Sequence, residues 1–457
     1  FPEGNFTRPS FANSYPEGGK PGYAENKNRN ANFYLNGGYV YDGRYLLDVN
    51  LRSDGTSVFG ANKRFSTTWS VGLAWNVHRE KFMKDKASFI NVLKLRGSVG
   101  NPGNQNFSSY SAITTYYFNN WMLNNFGTGV LVSKFGDPNL AWQRTLDKNI
   151  GINLSMFSNR FHVTVDFYHK RTDPLIADIG IPVSMGVEKR RTNIGVQVDK
   201  GVNGTIRYAI LYKPQESINY TMSVNFRYGT AFYKNIGRSL NAYNQENISK
   251  NLTRYYDGGS PTALWAVRSR GIDPATGQEI FVKKDGTLTY TFDYKDEVEV
   301  GDSRPTLEGV WGNTFYYKGW SASLQLRYSF GADVFNSTLF NKVENISSRS
   351  ITTNQDRRAL YNRWKKPGDK AKFKSISLTE STPMSSRFVM KENYLSIESV
   401  RLGYQFDSKW LKKALRISSL NINMYMNSIA RFSTLEDERG LYYPFARSIS
   451  FSLGAIL

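Results

Sequence analysis

The chain has 457 residues, no cysteine, a formal net charge of +21 and a mean hydropathy of −0.49. That length is too great for a small sandwich and comfortable for one large barrel. The missing cysteines exclude a disulfide framework and thiolate metal sites, and no stretch approaches the ~18 apolar residues of a membrane helix. The basic balance suits nucleic acid or an anionic membrane face. No helix-turn-helix, zinc-finger or oligonucleotide-binding signature supports nucleic acid, so no such partner is expected.

Alternating apolar and polar residues predict strands over 32–41, 44–53, 65–77, 91–99, 144–157, 160–171, 192–211, 217–230, 306–317, 320–331, 394–406, 418–428 and 447–457. The run Phe161-His162-Val163-Thr164-Val165-Asp166-Phe167-Tyr168 shows the pattern: one greasy face and one wet face. Each run is about ten residues long, the length of a tilted transmembrane strand. Aromatic residues make up 15% of the chain, enough to furnish interfacial girdles.

The connections alternate in length. Asp42-Gly43, Ser158-Asn159, 212–216 and Lys318-Gly319 are tight turns, and 78–90 and 407–417 are of medium length. Between them lie long connections at 54–64, 100–143, 172–191, 231–305, 332–393 and 429–446. A soluble sandwich has no reason to gather its long loops at one end. An outer-membrane barrel does, with short periplasmic turns and long extracellular loops. The predicted fold is therefore all-β, a transmembrane antiparallel barrel.

Strand parity adds an expectation. If the chain ends on the periplasmic side, thirteen strands place 1–31 outside. Bacterial barrels close with an even count, so an odd number of strands is expected before Phe1, leaving two open edges here. Phe1-Pro2-Glu3-Gly4-Asn5 lacks signal-peptide character. Either such a segment was removed or the chain is not the start of its gene product.

Several segments resemble the SusC/RagA family of TonB-dependent outer-membrane transporters. They are Arg44–Ser57 with Phe59–Arg64, Phe82-Met83-Lys84, and Leu93–Gln105. Gly271-Ile272-Asp273-Pro274-Ala275-Thr276-Gly277, Arg363-Trp364-Lys365-Lys366-Pro367-Gly368-Asp369 and Tyr394–Tyr404 follow in the same order. The resemblance implies a 22-stranded, plugged barrel. Residues 1–457 would then be its carboxy-terminal part, with the plug and first strands absent. It further implies active import of an oligomeric nutrient, a SusD-like surface lipoprotein lid, and TonB engaged through a missing amino-terminal region. The chain departs from the pattern at its end, where Leu457 stands in place of the usual terminal aromatic.

Phe107, Tyr110, Tyr116, Tyr117 and Trp121 in loop 100–143, and Tyr255, Tyr256 and Trp265 in loop 231–305, are candidate contacts to substrate or lid. Their bland alternative is the loops' own small cores. Asn225, Arg227, Gln325, Arg327, Asn421 and Asn423 are expected to line the lumen, where ordinary hydration or plug contact is the competing reading. Exposed aromatics favour a glycan over an oligopeptide. Lys189-Arg190-Arg191 is expected to meet lipopolysaccharide phosphates or solvent, and outer-membrane lipid is a further expected partner. Glu436-Asp437-Glu438 lacks calcium-loop spacing, His78, His162 and His169 lack metal spacing, and Gly100–Gln105 lacks a phosphate loop's Lys-Ser/Thr. No nucleophile–base constellation can be assembled. No cofactor, metal or catalytic residue is therefore expected. Two rival readings are a surface-binding or adhesive barrel without transport, and an outer-membrane barrel hydrolase.

Overall fold

The computed structural model describes residues 29–57, 62, 64–84, 87–104, 113–124, 127–346, 350–352, 354–377, 380–436 and 447–456. Thirteen strands form one antiparallel sheet in sequence order. They are β1 (Asn30–Tyr41), β2 (Tyr45–Thr56), β3 (Phe65–Asn76), β4 (Ile90–Gly100), β5 (Gln143–Met156), β6 (Phe161–Thr172) and β7 (Val196–Lys213). The wall continues with β8 (Ile218–Lys234), β9 (Leu307–Tyr317), β10 (Trp320–Phe335), β11 (Val389–Phe406), β12 (Ser419–Ser433) and β13 (Ile449–Ile456). Each expected strand is present. β1 and β13 each pair on one side only, so the sheet has two open edges, and both strands are exposed along their whole length.

The tight turns have the backbone that their residues suit. Asp42 and Gly43 have φ of 48° and 61°, Ser158 and Asn159 of 55° and 62°, and Lys318 and Gly319 of 44° and 91°. Positive φ at both central positions matches the right-handed twist of the flanking strands. One strand differs from expectation. The strand expected over 192–211 is interrupted at Gly195, whose φ is 38°. The residues before it, Lys189–Ile194, pair instead with Leu175–Gly180 in a separate hairpin.

Register aligns the two faces across the wall. Leu93, Leu154, Val163, Ile206, Val224, Trp311, Leu326 and Ile397 occupy one row from β4 to β11. On the opposite face Arg96, Gly151, Asp166, Asn203, Arg227, Glu308, Ser329 and Tyr394 form a polar row over the same strands. The apolar face has no protein against it: Leu73, Ile150 and Leu453 are 61%, 68% and 71% exposed. So large an apolar surface is stable only against hydrocarbon or another chain. No helix among the described residues is long and apolar enough to cross a membrane.

Aromatic rings gather where this face meets the tight turns. Tyr45 lies 6.4 Å from Tyr41 and 6.5 Å from Trp75, Phe161 lies 5.8 Å from Tyr208, and Trp320 lies 4.7 Å from Tyr404. At the other end of β10, Tyr328 and Phe330 stack at 5.8 Å. From Trp320 to Phe330 is about 33 Å along the strand, or about 25 Å of depth at the tilt of such strands, which is the height of an outer-membrane apolar band.

The polar face is held by ion pairs. Arg96 of β4 reaches over β5 to Asp166 of β6 at 2.6 Å, with Gly151 of β5 lying between them. A Cβ at Gly151 would stand 2.5 Å from Asp166 Oδ1 and 2.8 Å from Arg96 Nε. Only glycine leaves room for this bridge across an intervening strand. Gly151→Val is therefore expected to break the pair and destabilise the wall by about 1.5–3 kcal/mol. The check is the thermal midpoint of detergent-solubilised protein; Gly97→Ala on the opposite face, where a Cβ meets nothing closer than 4.0 Å, should leave it unchanged.

Candidate functional site

The long connections at the end away from the tight turns have structure of their own. Residues 235–306 hold a short helix, Asn241–Glu246, and a four-stranded sheet in the order Leu288–Thr289, Glu279–Val282, Ala263–Ile272, Glu297–Asp302. Arg254 is almost fully buried beside that sheet and donates to both oxygens of Glu297 at 2.8 and 2.9 Å. Its remaining donors go to backbone carbonyls of Ile248, Asn251 and Thr253. Satisfying every donor is what makes a buried guanidinium tolerable.

A second buried cluster ties this loop to the connection 336–388. Arg387 donates to Glu344 at 2.7 and 3.1 Å and to Glu279 at 3.0 Å. The side chains of Glu279 and Glu344 are 2% and 0% exposed. Thr382 Oγ1 donates to Glu344 and Ser385 Oγ donates to Glu279. Burial opposes the charge on Arg387, and hydrogen bonds and attraction from the two carboxylates outweigh it, leaving its pKa raised.

Two segments that carried the resemblance also meet here. The Trp364 indole donates to the Pro274 carbonyl at 2.8 Å, and Gly368 N donates to the same oxygen at 2.8 Å. A Cβ at Gly277 would lie 2.5 Å from the Trp364 ring, and Gly277 has a φ of 72°. Asp273 accepts from Ala275 N, Tyr290 OH and Thr276 Oγ1, which hold its carboxyl below the usual range. The motifs therefore act as one joint between loops.

Two further connections adjoin them. In the hairpin of Leu175–Gly180 and Lys189–Ile194, Leu175, Ala177 and Ile179 pack on Ile194, Ile236 and Leu240. Lys189 reaches Glu246 of the helix at 2.8 Å. Asn193 bonds both backbone groups of Ala141 in the connection before β5. The outcome is a continuous cap at one end of the wall.

The candidate residues divide. Phe107 and Tyr110 lie outside the described residues, and Trp121 falls in the strand Thr115–Asn124. Tyr116 and Tyr117 of that strand and Tyr256 are exposed at 62%, 48% and 37%. Tyr255 packs edge-on against Tyr233 and Tyr243, and its phenol is pushed up by burial, with Tyr243 adding to the shift. It serves the loop's own core. Trp265 is half-buried 4.7 Å from Tyr256, with its indole N–H unpaired among the described residues. Lys189 and Arg191 are paired with Glu246 and Asp178.

Asn225, Arg227, Gln325, Arg327, Asn421 and Asn423 all lie on the polar face, spread over β8, β10 and β12. Arg227 faces Glu308 at 3.5 Å and Arg327 faces Glu398 at 3.4 Å. Asn225 accepts from Thr205 Oγ1, and Asn423 accepts from Arg401. Sequence reasoning missed Asp147, Lys170, Asp199 and Asn203, which share a polar recess of about 590 Å³ with Arg96, Asp166 and Arg227. Their alternation with apolar neighbours was the available signal. A neighbouring recess of about 860 Å³ is lined by Asn32, Tyr34, Asn50 and Arg52 among others. Within the cap, Arg358, Tyr361, Lys372, Phe373 and Arg387 border a cavity of about 810 Å³. These surfaces present dense hydrogen-bonding groups to a polar solute. Among the described residues, no group of three or more His, Asp or Glu could hold a metal.

The family model described as "TonB dependent receptor-like, beta-barrel" matches residues 3–346. The chain belongs to that family. It is 27% identical over 454 residues to a TonB-dependent receptor of Formosa agariphila, covering 89% of this chain and 43% of the relative. It is 24% identical over 449 residues to the TonB-dependent receptor SusC of Bacteroides thetaiotaomicron, covering 91% and 42%. The structure of the RagAB peptide transporter superposes with a TM-score of 0.78 at 20% identity, over 89% of this chain and 44% of that one. The resemblance to SusC and RagA thus stands on sequence and on fold. The chain spans about two fifths of the length of the curated relatives it matches.

For this member of the TonB-dependent receptor barrels, the cap should depend on Arg387. Arg387→Met leaves Glu279 and Glu344 buried without their cation, a loss of about 3–5 kcal/mol. Limited proteolysis is expected to cut within 269–279 and 336–388 of the variant, while the heat-modifiable gel mobility of the folded wall persists. Wild-type resistance in the variant would show that the cluster does not hold the cap.

Proposed function

We propose that this chain is the carboxy-terminal part of the barrel of an outer-membrane importer of an oligomeric nutrient, working with a SusD-like lipoprotein lid and energised through TonB. The plug, the earlier strands and the TonB-contacting segment belong, in this reading, to a part of the machine outside this chain. The observation that carries the proposal is the co-folded cap at one end of a wall whose polar face holds the large recesses. A solute caught at the cap would meet hydrogen-bonding groups all the way down that face, with hydrocarbon shut out on the other. The relative named TonB-dependent receptor SusC supports the use of TonB, and the lipoprotein lid is what the family resemblance of the sequence implies.

A glycan is the preferred cargo. Tyr116, Tyr117 and Tyr256 present exposed rings, and aromatic faces stack on sugar rings with little ordering cost. The RagAB fold supports oligopeptide as the second reading. The mechanism is binding and gated passage, without turnover of the solute.

The test is uptake of labelled oligosaccharides by cells expressing the full-length gene in a deletion background. Uptake is expected to stop when a protonophore collapses the proton-motive force, while surface binding continues. In Tyr116→Ala/Tyr117→Ala/Tyr256→Ala, binding should weaken about tenfold. Uptake insensitive to the protonophore would sink the transport reading, and binding with no uptake at all would favour the adhesive barrel.

A further inference from the structure

The apolar face of the wall is notched. Gly97 of β4 stands in register between Leu73 of β3 and Ile150 of β5, and Ile150 in turn faces Phe167 of β6. Leu73, Ile150 and Phe167 are all strongly exposed, so they project as ridges on either side of the missing side chain. A Cβ built on Gly97 meets only the Asn149 carbonyl, at 4.0 Å. Backbone packing therefore does not require the glycine; it leaves open space. With Val71 and Val99 these residues line a predominantly apolar recess of about 690 Å³.

Basic groups close that recess on the side of the long loops. Lys148 and His169 border it, and the two are register partners, as are His169 and Lys200. The three side chains thus stand abreast on adjacent strands, at about 4.8 Å per strand. Lys200 and Lys234 also flank the Phe232 ring, at 5.9 and 5.3 Å. One step nearer the loops, Arg171 shares this face and pairs with Asp173. Lys148 and Lys200 flank His169 from either side, two strands apart, and neither has a carboxylate partner among the described residues. The adjacent Asp147 and Asp199 point to the polar face, where they meet Lys170 and Arg304.

We propose that this recess binds a phosphorylated, multiply acylated glycolipid of the lipid A type. An acyl chain would lie in the notch over Gly97, and a phosphate would bridge Lys148, His169 and Lys200. This rests on the outer-membrane barrel reading. A phosphomonoester carries −1.5 to −2 charges and three acceptor oxygens, which neutralises two ammonium groups where a singly charged phosphodiester leaves one over. The apolar notch, Lys148 and His169 lie within one recess on the side of the wall away from the solute path, and Lys200 stands next to His169 on the neighbouring strand. A transported solute would not reach it, but a lipid of the surrounding leaflet would.

The test uses full-length protein extracted from outer membranes in mild detergent, with bound lipid counted by native mass spectrometry. Wild-type protein should retain lipid A in the presence of excess inorganic phosphate. Lys148→Glu/Lys200→Glu should lose it by about tenfold or more. Gly97→Leu, which fills the notch without touching the charges, should lose it as well. Unchanged retention in both variants would overturn the proposal, as would equal retention of enzymatically dephosphorylated lipid A or displacement by inorganic phosphate. Heat-modifiable mobility in the outer-membrane fraction separates this from failure of the barrel reading itself. Folded barrels without lipid A reject only the lipid site, whereas absence from that fraction rejects the barrel.

Discussion

Everything in this structure depends on cross-strand register. Side chains alternate with a period of two, so a slip of one residue in any strand would carry its charged face to the apolar side. The tight turns resist such slips, because Asp42-Gly43, Ser158-Asn159 and Lys318-Gly319 accept the left-handed backbone that fixes two strands opposite each other. Inside a bilayer the constraint sharpens. Every backbone N–H and C=O at that depth must be paired within the sheet, so the ladder and the two faces are inseparable. The chain spans about two fifths of its curated relatives, and its two open edges are where further strands would continue that pairing in the proposed barrel.

The cap follows a different logic. Its loops do not alternate; they are locked by buried charge. Arg387 meets Glu279 and Glu344 only when two connections far apart in sequence are correctly assembled, and Arg254 meets Glu297 only when the two halves of one long connection fold together. Such clusters add little net stability, and they penalise wrong arrangements heavily. That suits a surface whose shape must be defined while lipid gives it no support. The joint of Trp364 with Pro274 and Gly277 adds close packing to the same contact.

The wall was nearly all legible in the sequence, because its determinants are local: alternation for the faces, Asp-Gly and its kin for the turns. The exception at 192–211 came from Gly195, whose positive φ ends one ladder and begins another while the alternation runs on through it. The placement of Asn225, Arg227, Gln325, Arg327, Asn421 and Asn423 on the polar face was also legible, since parity alone assigns it. The cap was not. Glu279 and Arg387 lie 108 positions apart, and nothing in either segment announces the other. Tyr255 and Tyr256 are neighbours of one residue type, yet one packs into the loop's core and the other is exposed. Composition cannot separate them, because only tertiary packing does.

The most direct test of the two-faced wall uses the absence of cysteine from these 457 residues, with any cysteine elsewhere in the gene product replaced first. Single replacements along β6, Val163→Cys, Thr164→Cys, Val165→Cys and Asp166→Cys, can be introduced into the full-length protein and probed in reconstituted membranes. The account predicts strict alternation: positions 164 and 166 react with a water-soluble maleimide, and positions 163 and 165, labelled with a fluorophore before reconstitution, are quenched only from the lipid phase. Aqueous labelling of all four positions would contradict it, because the apolar face would then be facing water.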